Sequence, residues 1–281
     1  MFKNTDLKNN NCNLEKILNV PLFTRTISTY INNRISTIGS YAFAYCTSLT
    51  SINLPIVTNV KNGAFSMCTS LTNANLPAAT TIGSYAFKGC TSLTSIYLPV
   101  ATDIGSYAFE GCTSLTNINL PAAISIRSQA FKNCSSLINV SLPVAKNVTI
   151  SAFEGCTSLT SIDLPVATTI AEGTFKGCTS LTNVSSPNAT GVGKSAFYNC
   201  KSLKSIDLPA VVNIGSSAFY GCSSLTSITL RASRVCTLMN SNAFYGTKIS
   251  TTGSIYVPSS LLTSYQTASN WSYFYARMVG I

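Results

Sequence analysis

The chain has 281 residues, 46% hydrophobic and only 9% charged; eight acids stand against 18 bases, a net charge of +10, and histidine is absent. An ordinary soluble domain carries roughly 25% charged residues. Without histidine there is no Ser-His-Asp or Cys-His catalysis, no histidine metal ligand and no histidine pH switch, and eight acids are few for paired-carboxylate chemistry. The low charge does not signal disorder, because apolar content is high, and no run of about 18 apolar residues occurs, which excludes a transmembrane helix.

Residues 1–34 open rich in Asn and Lys. Leu14, Ile17 and Leu18 then suggest one or two amphipathic helical turns. Met1-Phe-Lys-Asn-Thr-Asp6 lacks the apolar stretch of a secretory signal peptide. Ile27 and Tyr30 lie 22 residues before Leu49 and Ile52 and read as a degenerate strand capping the stack.

From residue 35 to 230 one period governs everything. Phe recurs at 43, 65, 87, 109, 131, 153, 175, 197 and 219, Cys three residues after each, and Leu three after each Cys, every step 22 residues. The cleanest copy is Thr81-Ile-Gly-Ser-Tyr-Ala-Phe87-Lys-Gly-Cys90-Thr-Ser-Leu93-Thr-Ser-Ile96-Tyr-Leu98-Pro99-Val-Ala-Thr102. Ile96 and Leu98 alternate with Ser95 and Tyr97, the period of a strand. Pro99 ends it, having no N–H for a ladder. Ile82 and Ala101 are apolar positions on the return path. Ser84 reads as the cap of a short helical turn, Tyr85 to Cys90, whose Ala86, Phe87 and Cys90 share one inward face. A single unit cannot bury its apolar face, but stacked units bury a continuous core. The expected architecture is therefore a solenoid of nine repeats with a parallel sheet, on the order of 40 Å long at ~4.8 Å per repeat, and an aromatic spine of stacked Phe.

Residues 231–281 form a divergent tenth repeat and a cap. Ala243-Phe244 returns 25 residues after Phe219, without a Cys three residues on. Ser254 to Pro258 reads as the last strand. Ser259 or Ser260 is placed to cap a short helix through Leu261, Leu262 and Tyr265, and the single Trp, Trp271, comes next.

The repeat resembles the BspA-type (treponemal) leucine-rich repeat, whose Ile-Gly-x-x-Ala-Phe-x-x-Cys-x-x-Leu-x-x-Ile-x-Leu-Pro signature matches Ile82-Gly83, Ala86-Phe87, Cys90, Leu93, Ile96 and Leu98-Pro99. The resemblance covers about residues 35–230. It implies a curved leucine-rich-repeat solenoid with the parallel sheet on its concave face and short helical turns opposite. It also implies a ligand-binding or adhesive role, typically on bacterial or protist surfaces, with no catalytic residue in the repeat. The ending around Tyr256 to Trp271 is similar to tails on such repeats in proteins of gut bacteria and their prophages. Several copies depart from the pattern: Lys61, Arg127, Thr149 and Ala171 replace the Gly, Thr174 an Ala and Ser186 a Leu. Those departures suggest local loosening.

The cysteines raise disulfides, metal ligation or a reactive thiol. Cys-x-x-Cys spacing is absent. Neighbouring Cys of parallel in-register turns lie ~4.8 Å apart, too far at Cβ for a disulfide, which wants ~3.5–4.5 Å. A buried, reduced packing column is expected, with Cys12 and Cys236 off it. The positive charge shows no stripe. Lys194, Lys201 and Lys204 make one local cluster, Arg231 and Arg234 sit near the cap, and nucleic acid is disfavoured.

Two exposed columns flank each strand. Ser51, Asn73, Ser95, Asn117 and their successors form a Ser/Asn ladder suited to hydrogen bonding between repeats. The other column varies, and Tyr97, Asn119, Asp163 and Asp207 are its candidate ligand-binding residues. Tyr41, Tyr85 and Tyr107 form a further column, either a contact patch or packing over the solenoid edge. The expected function is non-enzymatic recognition or adhesion toward a protein or glycan on a host or neighbouring cell. The chain would stand on a bacterial surface or phage particle and need no cofactor or metal. A scaffold inside a cell or virion is the alternative.

Overall fold

The computed structural model describes residues 35–281, so the readings made on residues 1–34, the strand at Ile27 and Tyr30 and the role of Cys12 among them, lie outside the described residues. The rest is a parallel β-solenoid with little helix. Its first ladder comprises eleven short strands, hydrogen-bonded in runs of three, two, two and four and including Ser51–Asn53, Asn73–Asn75, Ser95–Tyr97, Asn117–Asn119, Ser161–Asp163 and Ser205–Leu208. Partners are offset by one repeat, as in Ser95 beside Asn73 and Tyr97 beside Asn75. The centre of each strand is apolar and mostly buried, and the flanking residues face outward, the alternation that Ile96 and Leu98 impose.

A second ladder, unforeseen in the sequence, runs through the return path. Its ten two-residue strands include Asn59–Val60, Thr81–Ile82, Asp103–Ile104 and Gly191–Val192. They pair in parallel from one repeat to the next, Ile82 beside Ile104, in runs of six and four strands that break between Asn147–Val148 and Thr169–Ile170. The buried Val60, Ile82 and Ile104 anchor it.

The segment from Ser84 to Cys90 corrects the expectation of a helical turn. Alternate N–H groups there have different partners. Ala86, Lys88 and Cys90 donate back to the carbonyls of Gly83, Tyr85 and Phe87 at 3.3, 3.1 and 3.1 Å, closing successive β-turns. Tyr85, Phe87 and Gly89 donate forward to Ser106, Ala108 and Glu110 of the next repeat at 2.9, 2.7 and 2.8 Å. Half of the donors are thus committed between repeats, and an α-helix, which keeps its N–H groups within itself, cannot form. The chain reverses through left-handed residues, Tyr85 at φ 61° and Gly89 at φ 71°. The predicted Ser84 cap is replaced by a contact between repeats, with the Ser84 N–H donating to Asn62 Oδ1 at 3.0 Å. The inward face of this segment is as expected: Ala86, Phe87 and Cys90 are buried.

The core lies between the three hydrogen-bonded sides. Rings from Phe43 to Phe244 stack along it with centroids 5.1–5.9 Å apart. Each stacked pair adds about 0.5–1.5 kcal/mol beyond the area it buries. The stack ends on Trp271, tilted at 6.0 Å from Phe244, and on Phe274, edge-on at 5.5 Å.

Below the spine runs the cysteine column. Cys68 through Cys222 are buried free thiols, and each donates to the carbonyl of the Phe one repeat back, as Cys68 does to Phe43 O at 3.0 Å and Cys112 to Phe87 O at 3.2 Å. A thiol therefore fills the site better than a purely apolar residue of its size would. Burial pushes the thiols from Cys68 to Cys200 up, to about 12 at Cys68, Cys134 and Cys178. Cys46, at the head of the column, is buried and disulfide-bonded, so the expectation of a reduced column holds from Cys68 onward.

The C-terminal end closes the open edges. Thr237–Leu238 is the final strand of the second ladder. Its neighbourhood is satisfied by side chains of the cap: the Trp271 indole donates to Cys236 O at 2.6 Å, the Asn270 amide to Leu238 O at 2.8 Å, and the Tyr265 hydroxyl accepts from the Cys236 N–H at 2.9 Å. Ser254–Val257 is not the last strand, because Met278–Gly280 pairs with it in parallel. The helix between them is Leu262–Thr267, with no side-chain cap; Ser259 and Ser260 belong instead to a 3-10 turn, Ser259–Leu261.

Candidate binding face

The outward residues of the first ladder form the face on which the sequence placed its site. Register carries Asn53, Asn75 and Tyr97 into one column, Asn119 and Ser141 into its continuation, then Asp163 with Ser185, and Asp207 with Thr229 and Tyr256. All four candidates are exposed, Tyr97 at 57%. They do not converge. Tyr97 and Asp207 are five repeats apart, about 24 Å at ~4.8 Å per repeat, so the column offers an extended row of contacts. Asp207 is also not free, since Arg231 Nε lies 3.2 Å from its Oδ2. Asp163 has no ion-pair partner among the described residues and is the open carboxylate of the row.

The companion Ser/Asn column is a hydrogen-bonding ladder in part, as the sequence suggested. Asn73 donates to Ser95 Oγ and Asn139 to Asn117 Oδ1, each at 2.7 Å. Asn75 donates to Asn53 Oδ1 at 2.7 Å in the candidate column itself. Thr columns do the same with backbone: Thr72 and Thr94 donate to the carbonyls of Thr50 and Thr72, at 2.9 and 3.0 Å. These side chains spend their donors on the stack and have fewer to offer a ligand.

The tyrosine column is packing in its best-described members. Tyr85 and Tyr107 stack at 4.8 Å, with Lys88 Nζ 5.5 and 5.8 Å from the two ring centres. The Tyr41 ring covers Gly63, where an added Cβ would run into Tyr41 Cε1.

Sequence reasoning missed the column one residue after each Phe. It reads Ala44, Ser66, Lys88, Glu110, Lys132, Glu154, Lys176, Tyr198, Tyr220, Tyr245. The charges pair along the stack: Lys88 with Glu110 at 2.8 Å, and Glu154 with both Lys132 and Lys176 at 3.3 Å. Burial disfavours the Glu154 carboxylate, but the Ser151 hydroxyl, Lys176 and Lys132 outweigh it and hold its carboxyl below the usual range. Past Lys176 the column turns aromatic, Tyr198 on Tyr220 at 5.0 Å and Tyr220 on Tyr245 at 4.9 Å. The alternation was visible at the 22-residue period, had that position been read down the repeats.

Among the described residues no cluster of His, Cys, Asp and Glu is placed to hold a metal ion, and no helix is long and apolar enough to cross a membrane.

A family model described as the BspA type leucine-rich repeat region matches in six copies, over residues 22–138, 58–166 and 146–272. The leucine-rich repeat protein of T. pallidum is 33% identical, over 57% of this chain and 80% of that one, with a TM-score of 0.53. A leucine-rich cell surface protein from Faecalibacterium prausnitzii is 23% identical over 85% of this chain and 72% of that one, TM-score 0.47. A leucine-rich repeat protein from Bacteroides ovatus is 26% identical over 88% of each chain, TM-score 0.39. No curated protein matches.

Proposed function

The chain belongs to the BspA-type leucine-rich repeat family, and from that premise we propose that it is a recognition module that binds a protein or glycan outside a bacterial cell or on a phage particle. The observation that carries this reading is the split between its columns. Phe, Cys, Leu and Ile columns repeat because they are buried, whereas the exposed column holding Tyr97, Asn119, Asp163 and Asp207 varies from repeat to repeat. A rigid row of differing side chains favours shallow contact at several points at once, each weak and together strong. Asp163 and Tyr97 carry the larger part, because Asp207 is already paired with Arg231. Such a surface holds a ligand and converts nothing.

The test is binding of the labelled full chain to bacterial and host cells and to arrayed proteins and glycans. Tyr97→Ala combined with Asn119→Ala and Asp163→Ala should abolish the binding without shifting the thermal melt. Binding that survives the triple variant overturns the site, and a chain found only inside cells, with no partner outside them, overturns the function.

A further inference from the structure

The C-terminal cap presents a second surface, away from the strand row. Tyr245 closes the stack begun by Tyr198 and Tyr220. One face of its ring lies on Tyr220, so its 62% exposure comes from the opposite face and the hydroxyl edge. The preceding residue, Phe244, meets Phe274 edge to face. Phe274 points inward from the 3-10 turn Ser272–Arg277, so its neighbours Tyr273 and Tyr275 point away from the core, 76% and 64% exposed. Neither has a ring or hydrogen-bond partner for its side chain among the described residues.

Two cations join these rings. Lys248 begins the 3-10 turn Lys248–Ser250, which packs against Ser272–Arg277, and Arg277 ends the latter. Neither is ion-paired among the described residues, and no acid occurs after Asp207 in the sequence. Two packed segments and the adjoining end of the tyrosine stack thus carry three exposed tyrosines and two unpaired cations, with no acidic side chain among them.

We propose that this cap is a binding site for an acidic carbohydrate. A tyrosine face is flat, apolar and electron-rich, and suits the C–H face of a pyranose ring. Lys248 and Arg277 supply charge-assisted hydrogen bonds to a sugar carboxylate, and the tyrosine hydroxyls serve its hydroxyls. Single-stranded nucleic acid fits less well, because it calls for a basic groove that tracks many phosphates beside successive free ring faces. The stack of Tyr198 and Tyr220 hides its faces within itself.

The experiment titrates the full chain with an oligogalacturonate and with sialyl-lactose, against neutral galactose oligomers and a single-stranded oligonucleotide. At least one acidic sugar should bind, with the neutral sugars about tenfold weaker, the factor that about 1.4 kcal/mol carries. Tyr245→Ala should cost about the same factor, and Lys248→Ala with Arg277→Gln should remove the salt dependence of binding. The site is overturned by the absence of binding to both acidic sugars or by equal binding of the neutral sugars or the oligonucleotide. Binding untouched by the cap variants overturns it too. Strand-row variants at Tyr97 and Asp163 provide the independent arm. If they alone abolish sugar binding, the cap site fails and the strand row stands; if the cap variants alone do so, the cap site stands whatever becomes of the strand row.

Discussion

Ser186 puts a polar side chain into a buried column that is otherwise leucine. The position two residues after each central apolar strand residue is Leu at 54, 76, 98, 120, 142, 164, 208 and 230, all buried, and Ser at 186. Ser186 is 2% exposed, and its hydroxyl has no hydrogen-bond partner. An unpaired buried hydroxyl costs about 1–3 kcal/mol. Burying a leucine side chain there contributes about 1.5–3 kcal/mol, less about 0.5–1 kcal/mol of lost rotamer freedom. Ser186→Leu should therefore stabilise the chain by about 1.5–5.5 kcal/mol, and Ser186→Ala, which only removes the hydroxyl, by about 1–3 kcal/mol. Urea unfolding read by far-UV circular dichroism reports the whole stack. Fluorescence of Trp271, the single tryptophan, reports the C-terminal cap. Stability in a solenoid is a sum over repeats and their interfaces, so both midpoints should rise with the slope unchanged where unfolding is cooperative. A fall in midpoint for Ser186→Ala would mean that the hydroxyl is satisfied in solution. A fall for Ser186→Leu alone would mean that the column has closed around the serine and left no room.

The same packing sets three further outcomes. An added Cβ at Gly105 would lie 2.5 Å from Gly83 C and Ser84 N, so Gly105→Ala should cost about 1–3 kcal/mol in a urea titration. Gly39→Ala, with nothing within 4 Å of the new atom, should be neutral in that comparison. The thiols from Cys68 to Cys222, several raised by burial to about 12, should ignore Ellman's reagent at neutral pH until urea is added. One fast-reacting column thiol in the native protein would contradict the burial argument. The Glu154 carboxyl is held below its ordinary range in the folded chain. Its contribution is therefore present above the unfolded value, near about 4.3, and is lost as pH falls through the lower folded value. The stability gap between wild type and Glu154→Gln should be constant from pH 8 to about 5 and close below about 4; a gap indifferent to pH would refute the pairing.

The sequence displayed the period, the strand centred on Ile96, the inward set of Ala86, Phe87 and Cys90, and the aromatic spine, because burial repeats with the chain. It misled about the turn. Side chains three and four apart mark one face of a helix, and they also mark one face of a run of β-turns. The difference lies in the backbone N–H groups of Tyr85, Phe87 and Gly89, which donate to the next repeat, and side-chain pattern does not encode where a backbone donor goes. The thiol bonds to the Phe carbonyls were hidden for a related reason, since a cysteine column has the same apolar pattern with or without them. Arg127 was read as loosening the stack where Gly is usual. It instead forms a two-point pair with Asp103, at 2.8 and 2.9 Å, a contact 24 residues back that the repeat unit alone does not suggest.

The column after each Phe shows how a solenoid separates its two tasks. The backbone slot is the same from Lys88 to Tyr245, so fold stability asks only that successive side chains tolerate each other at close spacing. Opposite charges satisfy that demand from Lys88 to Lys176, and stacked rings satisfy it from Tyr198 onward. A charge inside the ladder, such as Glu154 between two lysines, is spent on its neighbours. A side chain at the end of a ladder has one partner instead of two, and its unused side faces solvent. Tyr245 is such an end, and Asp163, flanked in its column by Ser141 and Ser185, is an unpaired charge within a polar row. Side chains not spent on a neighbour therefore concentrate where a column stops or changes chemistry, and the strictly periodic positions serve the stack.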